Sequence, residues 1–260
     1  MSAIETIVIL SLVGGVGALG GGALLLLGKK ISKNLVHLLV SFAAGVLLAA
    51  TFFDLLPEAF EHSEKLKESG SKEVNVFLWT LLGMLFFYFL DRAIHWFQHH
   101  QKITKGKHGP VNIPLVILGD SVHNFIDGVA IALTYLVNPA VGVVTTIATV
   151  AHEIPQEIGD FAILLHEGME KRKVLLINLL SALLSVFGSI VAIVIGQKIE
   201  GIIPYSLSLT AGFFLYIALT NLLPEIHGEE KKGYAFFESV ALILGVIVIW
   251  LAITFLPHEG

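Results

Sequence analysis

The sequence predicts an all-α polytopic membrane protein: eight transmembrane helices in a 3+2+3 arrangement, with helices 1–3 and 6–8 as inverted repeats. Three observations predict it. Of 260 residues, 55% are hydrophobic and 14% charged, against about 25% charged in a soluble domain, and the mean hydropathy is +0.82. Apolar runs near 20 residues, long enough to cross ~30 Å of hydrocarbon as helix, recur along the whole chain. Part of the second run is repeated in the seventh.

The first span, roughly 4–27, is too long for the apolar core of a signal peptide. It lacks a basic lead and is followed by Lys29, Lys30 and Lys33, so it is expected to persist as a helix. The second span, roughly 34–56, ends in LLPE, and the third, roughly 75–97, has Trp79 and Trp96 near its ends, where aromatic belts sit. Only the Asn138-Pro139 turn separates the fourth span, roughly 113–137, from the fifth, roughly 142–166. The sixth, seventh and eighth follow at roughly 173–197, 203–223 and 235–256. Together they form a single transmembrane transporter domain over 1–260, and strands are a poor reading of runs this long.

Orientation follows from the basic residues. Twelve of the 16 flank alternate connections: Lys29, Lys30 and Lys33; Arg92, Lys102, Lys105 and Lys107; Lys171, Arg172 and Lys173; Lys231 and Lys232. Lys65, Lys67, Lys72 and Lys198 lie on the other side. The positive-inside rule then places both termini outside the cytoplasm, in a plasma or inner membrane. SFAAGVLLAATFFDLLPE, ending at Glu58, aligns without gaps onto SLTAGFFLYIALTNLLPE, ending at Glu225, with eight of 18 positions identical. Spans two and seven run in opposite directions, and inverted repeats about a central site are a transporter pattern.

Polar residues inside spans four and five mark that site. His123 and His152 each lie about 10 residues into their spans, ~15 Å deep. At 100° per residue, Asp120, His123, Asn124 and Asp127 share one stripe, and His152, Glu153, Gln156, Glu157 and Asp160 another. Ionisable groups at this depth are costly, which makes them functional candidates. Pro155 is expected to free the Ala151 carbonyl, and Gly128 and Gly159 to allow close packing. The absence of cysteine excludes disulfides and thiolate sites. Imidazole, carboxylate and amide without sulfur suit zinc, iron(II) or manganese and disfavour copper(I).

At these residues the chain resembles the ZIP (Zrt/Irt-like) family of divalent metal transporters. The helix-four motif is matched by His123, Asn124, Asp127 and Gly128, and the helix-five motif by His152, Glu153, Pro155, Gln156 and Glu157. The resemblance implies transport of a divalent metal into the cytoplasm, zinc first, with iron, manganese or cadmium as alternatives. It also implies a binuclear centre, with His123, Asp127, His152 and Gln156 nearer one ion and Asn124, Asp127, Glu153 and Gln156 nearer the other. Helices one, four, five and six are implied to slide against two, three, seven and eight. Many relatives carry a second histidine where this chain has Gln156, a weaker ligand, so looser binding or another preference is expected. The form expected is core-only, without the long histidine-rich extracellular domains of some relatives. The metal is cargo, no prosthetic group is expected, and the partners are metal ions and the lipid bilayer. Homodimerisation stays open, and nothing points to nucleic acid.

Two other classes compete. HExxH on a helix marks zinc hydrolases, but HEIPQ lacks the second histidine of that motif, which argues against an intramembrane metalloprotease and against an enzyme. A proton-coupled carrier of an organic solute would use the carboxylates but not the adjacent His-Asn and His-Glu pairs. At the periphery, His95, His99, His100 and His108 are candidates for receiving metal on the cytoplasmic side. Asp54 and Glu58 are candidates at an outer entrance, Glu225 and His227 are their repeat counterparts at an exit, and Asn178 and Ser181 are candidate outer ligands.

Overall fold

The computed structural model describes residues 1–28, 31–105, 113–196, 200–227 and 234–256. Eight long helical segments account for nearly all of them. They are α1 (Ala3–Leu26), α2 (Lys33–Glu68), α3 (Val76–Lys105), α4 (Ile113–Val137), α5 (Pro139–His166), α6 (Lys171–Gly196), α7 (Ile203–Ile226) and α8 (Ala235–Phe255). Seven include a stretch long and apolar enough to cross a membrane. The remaining one, α5, has the length, 28 residues, but its hydropathy is diluted by the polar stripe from His152 to Asp160. This is a multi-pass membrane protein.

Local chemistry sets the helix ends. Ser2 caps α1 in a reciprocal box with Glu5, satisfying two backbone donors at its start. At the far end of α5, Gly168 takes φ +83°, a conformation that glycine adopts without a Cβ penalty, and the Gly168 and Met169 N–H groups close the last turn. Several helices outrun the predicted spans. α2 continues past Pro57 to Glu68 and α3 reaches Lys105, because hydropathy detects only the apolar part of a helix. The end of α2 is carried by polar contacts, including Lys65 to Glu61 at 2.7 Å one turn apart.

α2 and α7 share an irregularity. Each widens into a π-helical turn, at Thr51–Leu55 and at Ile217–Leu222. The Leu56 N–H reaches back five residues to the Thr51 carbonyl, and the Leu223 N–H to that of Ala218. The repeat alignment pairs these same residues. Pro57 and Pro224 follow directly, and a proline crowds the carbonyl four residues before it, so a wide turn there relieves the clash.

The repeat also governs packing. A Cβ on Gly45 of α2 would meet the Leu242 carbonyl of α8, and one on Gly245 of α8 would meet the Phe42 carbonyl of α2. Gly212 of α7 and Gly83 of α3 approach one another's helices in the same reciprocal way, through the Thr80 and Leu209 carbonyls. The alignment equates Gly45 with Gly212 and Phe42 with Leu209. Small residues thus let paired backbones touch. α2, α3, α7 and α8 supply most of one buried apolar cluster, whereas two smaller clusters draw on α1, α4, α5 and α6.

Candidate metal centre

A single residue joins α4 to α5. Asn138 is extended, and its side-chain oxygen accepts the Ala140 N–H at 2.9 Å, while Pro139 opens the new helix. A residue before proline avoids helical backbone and proline suits the first turn, so Asn-Pro stops one helix and starts the next. The antiparallel pair brings His123 and His152 together, their Nε2 atoms 3.1 Å apart.

Two carboxylates complete the group. Asp127 Oδ2 is 3.2 Å from His152 Nε2, and Glu153 Oε1 is 3.4 Å from His123 Nε2. One ligand atom from each of His123, Asp127, His152 and Glu153 lies within 4.8 Å of the other three. His152 Nδ1 is 2.9 Å from the Ala148 carbonyl oxygen, which only accepts. Nδ1 therefore carries a hydrogen, which leaves Nε2 as the ring nitrogen that faces the carboxylates and can ligate a metal. Asp127 and His152 are 1% exposed and Glu153 0%. No hydrogen-bond donor among the described residues meets any oxygen of the two carboxylates. Such groups cost several kcal/mol each unless a cation meets them, and two imidazole nitrogens with two carboxylate oxygens suit zinc.

The walls are apolar. Phe87 of α3 stacks on Phe213 of α7 at 3.9 Å, Phe213 stands 5.6 Å from the His123 ring, and Phe214 stands 6.2 Å from that of His152. An apolar wall strengthens electrostatic attraction beside it. These aromatics were not legible as site residues, because nothing in the sequence says which phenylalanine of α3 or α7 faces α4.

The other expected residues divide. A second group, Asp120, Glu153 and Glu157, also has ligand atoms within 4.8 Å of one another. The Asn124 amide donates to Asp120 Oδ1 at 3.0 Å, and the Ser181 hydroxyl donates to that of Ser121 at 3.3 Å. Asn178 donates to the Val174 carbonyl in its own helix. Gly128 abuts the Ser185 carbonyl of α6 as expected, but Gly159 faces open space and packs nothing closely. α5 runs helical through Pro155. Asp54 is buried in the π turn, and Glu58 accepts from Asn138 at 3.5 Å, whereas Asn221 and Glu225 are exposed. The side chains of His95, His99, His100 and His227, and all of His108, lie outside the described residues.

Membrane-length helices around a buried cluster of metal-ligating side chains define the class as a polytopic membrane protein with a mid-helix polar centre. A model of the ZIP Zinc transporter family matches residues 3–114 and 98–252. Zinc transporter ZIP13 of Pongo abelii is 33% identical over 220 residues, which are 82% of this chain and 65% of that protein. Zinc transporter ZIP6 of Homo sapiens is 38% identical over 152 residues, covering 56% and 20%. Zinc transporter ZIP10 of Homo sapiens is 35% identical over 177 residues, covering 60% and 21%. The chain thus spans about a fifth of ZIP6 and ZIP10 and just under two thirds of ZIP13. The chain belongs to the ZIP zinc transporter family.

Proposed function

We propose that this protein moves a divalent transition metal, zinc foremost, across the membrane into the cytoplasm, binding it between α4 and α5. The observation that carries the reading is the convergence of His123, Asp127, His152 and Glu153, whose two carboxylates have no donor of their own. Asn124, whose Oδ1 has no hydrogen-bond partner among the described residues, adds an amide oxygen, and Gln156 and Glu157 line the next turn. α1, α4, α5 and α6 act as the moving group against α2, α3, α7 and α8: the two smaller apolar clusters join the first four, and Val141, Val144, Ala148 and Ala151 of α5 form the seam against the second group. With both termini outside, the Glu58 and Asn138 contact closes the outer side, and the exposed Asn221 and Glu225 mark the inner one.

The test is uptake of zinc, iron(II), manganese and cadmium by the purified protein in proteoliposomes, with and without a pH gradient. Zinc uptake above protein-free vesicles is expected. No uptake of any of the four ions would overturn the reading.

A further inference from the structure

The four ligating groups of the cluster are not closed off evenly. Asp127, His152 and Glu153 are buried, whereas 14% of the His123 side chain is exposed, so the approach left to a metal among them runs past that ring. Two phenylalanines stand there. The Phe213 ring lies 5.6 Å from that of His123 and the Phe87 ring 6.4 Å from it, both edge to face. They stack on one another at 3.9 Å and are themselves buried, and Phe214, 6.2 Å from the His152 ring, continues the wall.

We infer that Phe213, with Phe87 stacked on it, determines which metal the cluster accepts: by covering the open side at His123, the two rings hold the ion to its protein ligands and keep water from joining them. The inference rests on the cluster being where the transported ion binds, and adds a selection by coordination number. The Tyr216 hydroxyl donates to Asp91 Oδ2 at 2.8 Å, one turn further along α7 and α3, and so ties together the two helices that carry the wall. Tyr216 is thus a positioning residue for the stacked rings.

The chemistry of the ions makes such a wall selective. Zinc in a closed site takes four ligands in a tetrahedron and needs no water among them. Manganese and magnesium favour six ligands, chiefly oxygen, and magnesium gives up its water reluctantly. A phenyl ring has no lone pair to replace a lost water, so an ion that needs six partners is left short of them here. The two imidazoles already lean towards zinc by donor type. The wall acts separately, on how many partners the ion can have.

The test is uptake of zinc alone and manganese alone by the full-length protein in proteoliposomes, compared as maximal rate over half-saturation. Wild type is expected to favour zinc at least about tenfold, and Phe213→Ala, which leaves room for water beside His123, to cut that preference by about tenfold. Phe213→Leu keeps apolar bulk and should hold the wild-type ratio within about threefold. Tyr216→Phe should lower the preference by less than Phe213→Ala does, and an unchanged ratio there removes Tyr216 from the wall. Cobalt(II) in detergent gives a second reading: the strong visible absorption of a four-coordinate ion in wild type, weakened in Phe213→Ala. No zinc preference in wild type, or a wild-type ratio and cobalt spectrum in both Phe213→Ala and Phe87→Ala, overturns the inference, and a drop in either supports it. No uptake of either ion by wild type instead overturns the transport reading. If Phe213→Ala is not monodisperse, Phe87→Ala decides.

Discussion

His152 shows how a backbone contact prepares a side chain. With Nδ1 committed to the Ala148 carbonyl, the ring is oriented before any metal arrives, and Nε2 is the nitrogen turned on the cluster. His152→Ala and Asp127→Ala are each expected to bring zinc uptake to the background of empty vesicles, with normal membrane insertion checked by gel filtration. Full uptake by both would sink the assignment. Gln156→His is expected to lower both half-saturation and maximal rate for zinc, because an imidazole is a stronger ligand than an amide and slows release. Unchanged kinetics would show that Gln156 takes no part in the site. The polar stripes of α4 and α5 were legible because polar groups in apolar helices are conspicuous, and of the seven expected ligands His123, Asp127, His152 and Glu153 converge in one group. The bonding of the Asn124 amide to Asp120 was not, since helical spacing gives a face and not the partner chosen on it.

Glycine tests the packing of elements. A Cβ on Gly128 collides with backbone of α6, which cannot move aside like a flexible side chain. Gly128→Ala is therefore expected to cost about 1–3 kcal/mol through overpacking, read as a lower thermal midpoint in detergent. Gly159→Ala meets nothing within 4 Å, and in a helix it is expected to be neutral or to stabilise by about 0.5–1 kcal/mol. A loss at Gly159 equal to that at Gly128 would contradict the packing. The sequence located all eight helices by their apolar runs but ended α2 and α3 early, because their last turns are polar and held by side-chain pairs such as Lys67 with Glu73 at 2.6 Å. The π turns were illegible, since one extra residue in a turn leaves composition and hydropathy unchanged.

For the whole molecule, the two ends of the repeat differ although their sequences agree. Near Glu58, α2 meets the α4–α5 turn through Asn138, while the equivalent stretch of α7 around Asn221 and Glu225 is exposed. A transporter with inverted repeats is open to one side at a time through such a difference. The chain has no cysteine, so a Glu58→Cys, Asn138→Cys pair would be the sole thiols. Joining them with a short reducible bis-thiol linker is expected to stop uptake, and reduction should restore it. Undiminished uptake by the linked protein would mean that α2 and the α4–α5 turn need not separate.

The matched π turns also bear on ancestry. A π turn arises when one residue is inserted into an α-helix, usually at a cost that function must justify. Two such insertions at aligned positions, each just ahead of the same proline, are more simply explained by one event than by two. The insertion would then be older than the duplication that made the two three-helix repeats, and the ancestral three-helix unit already carried the bend that both copies retain.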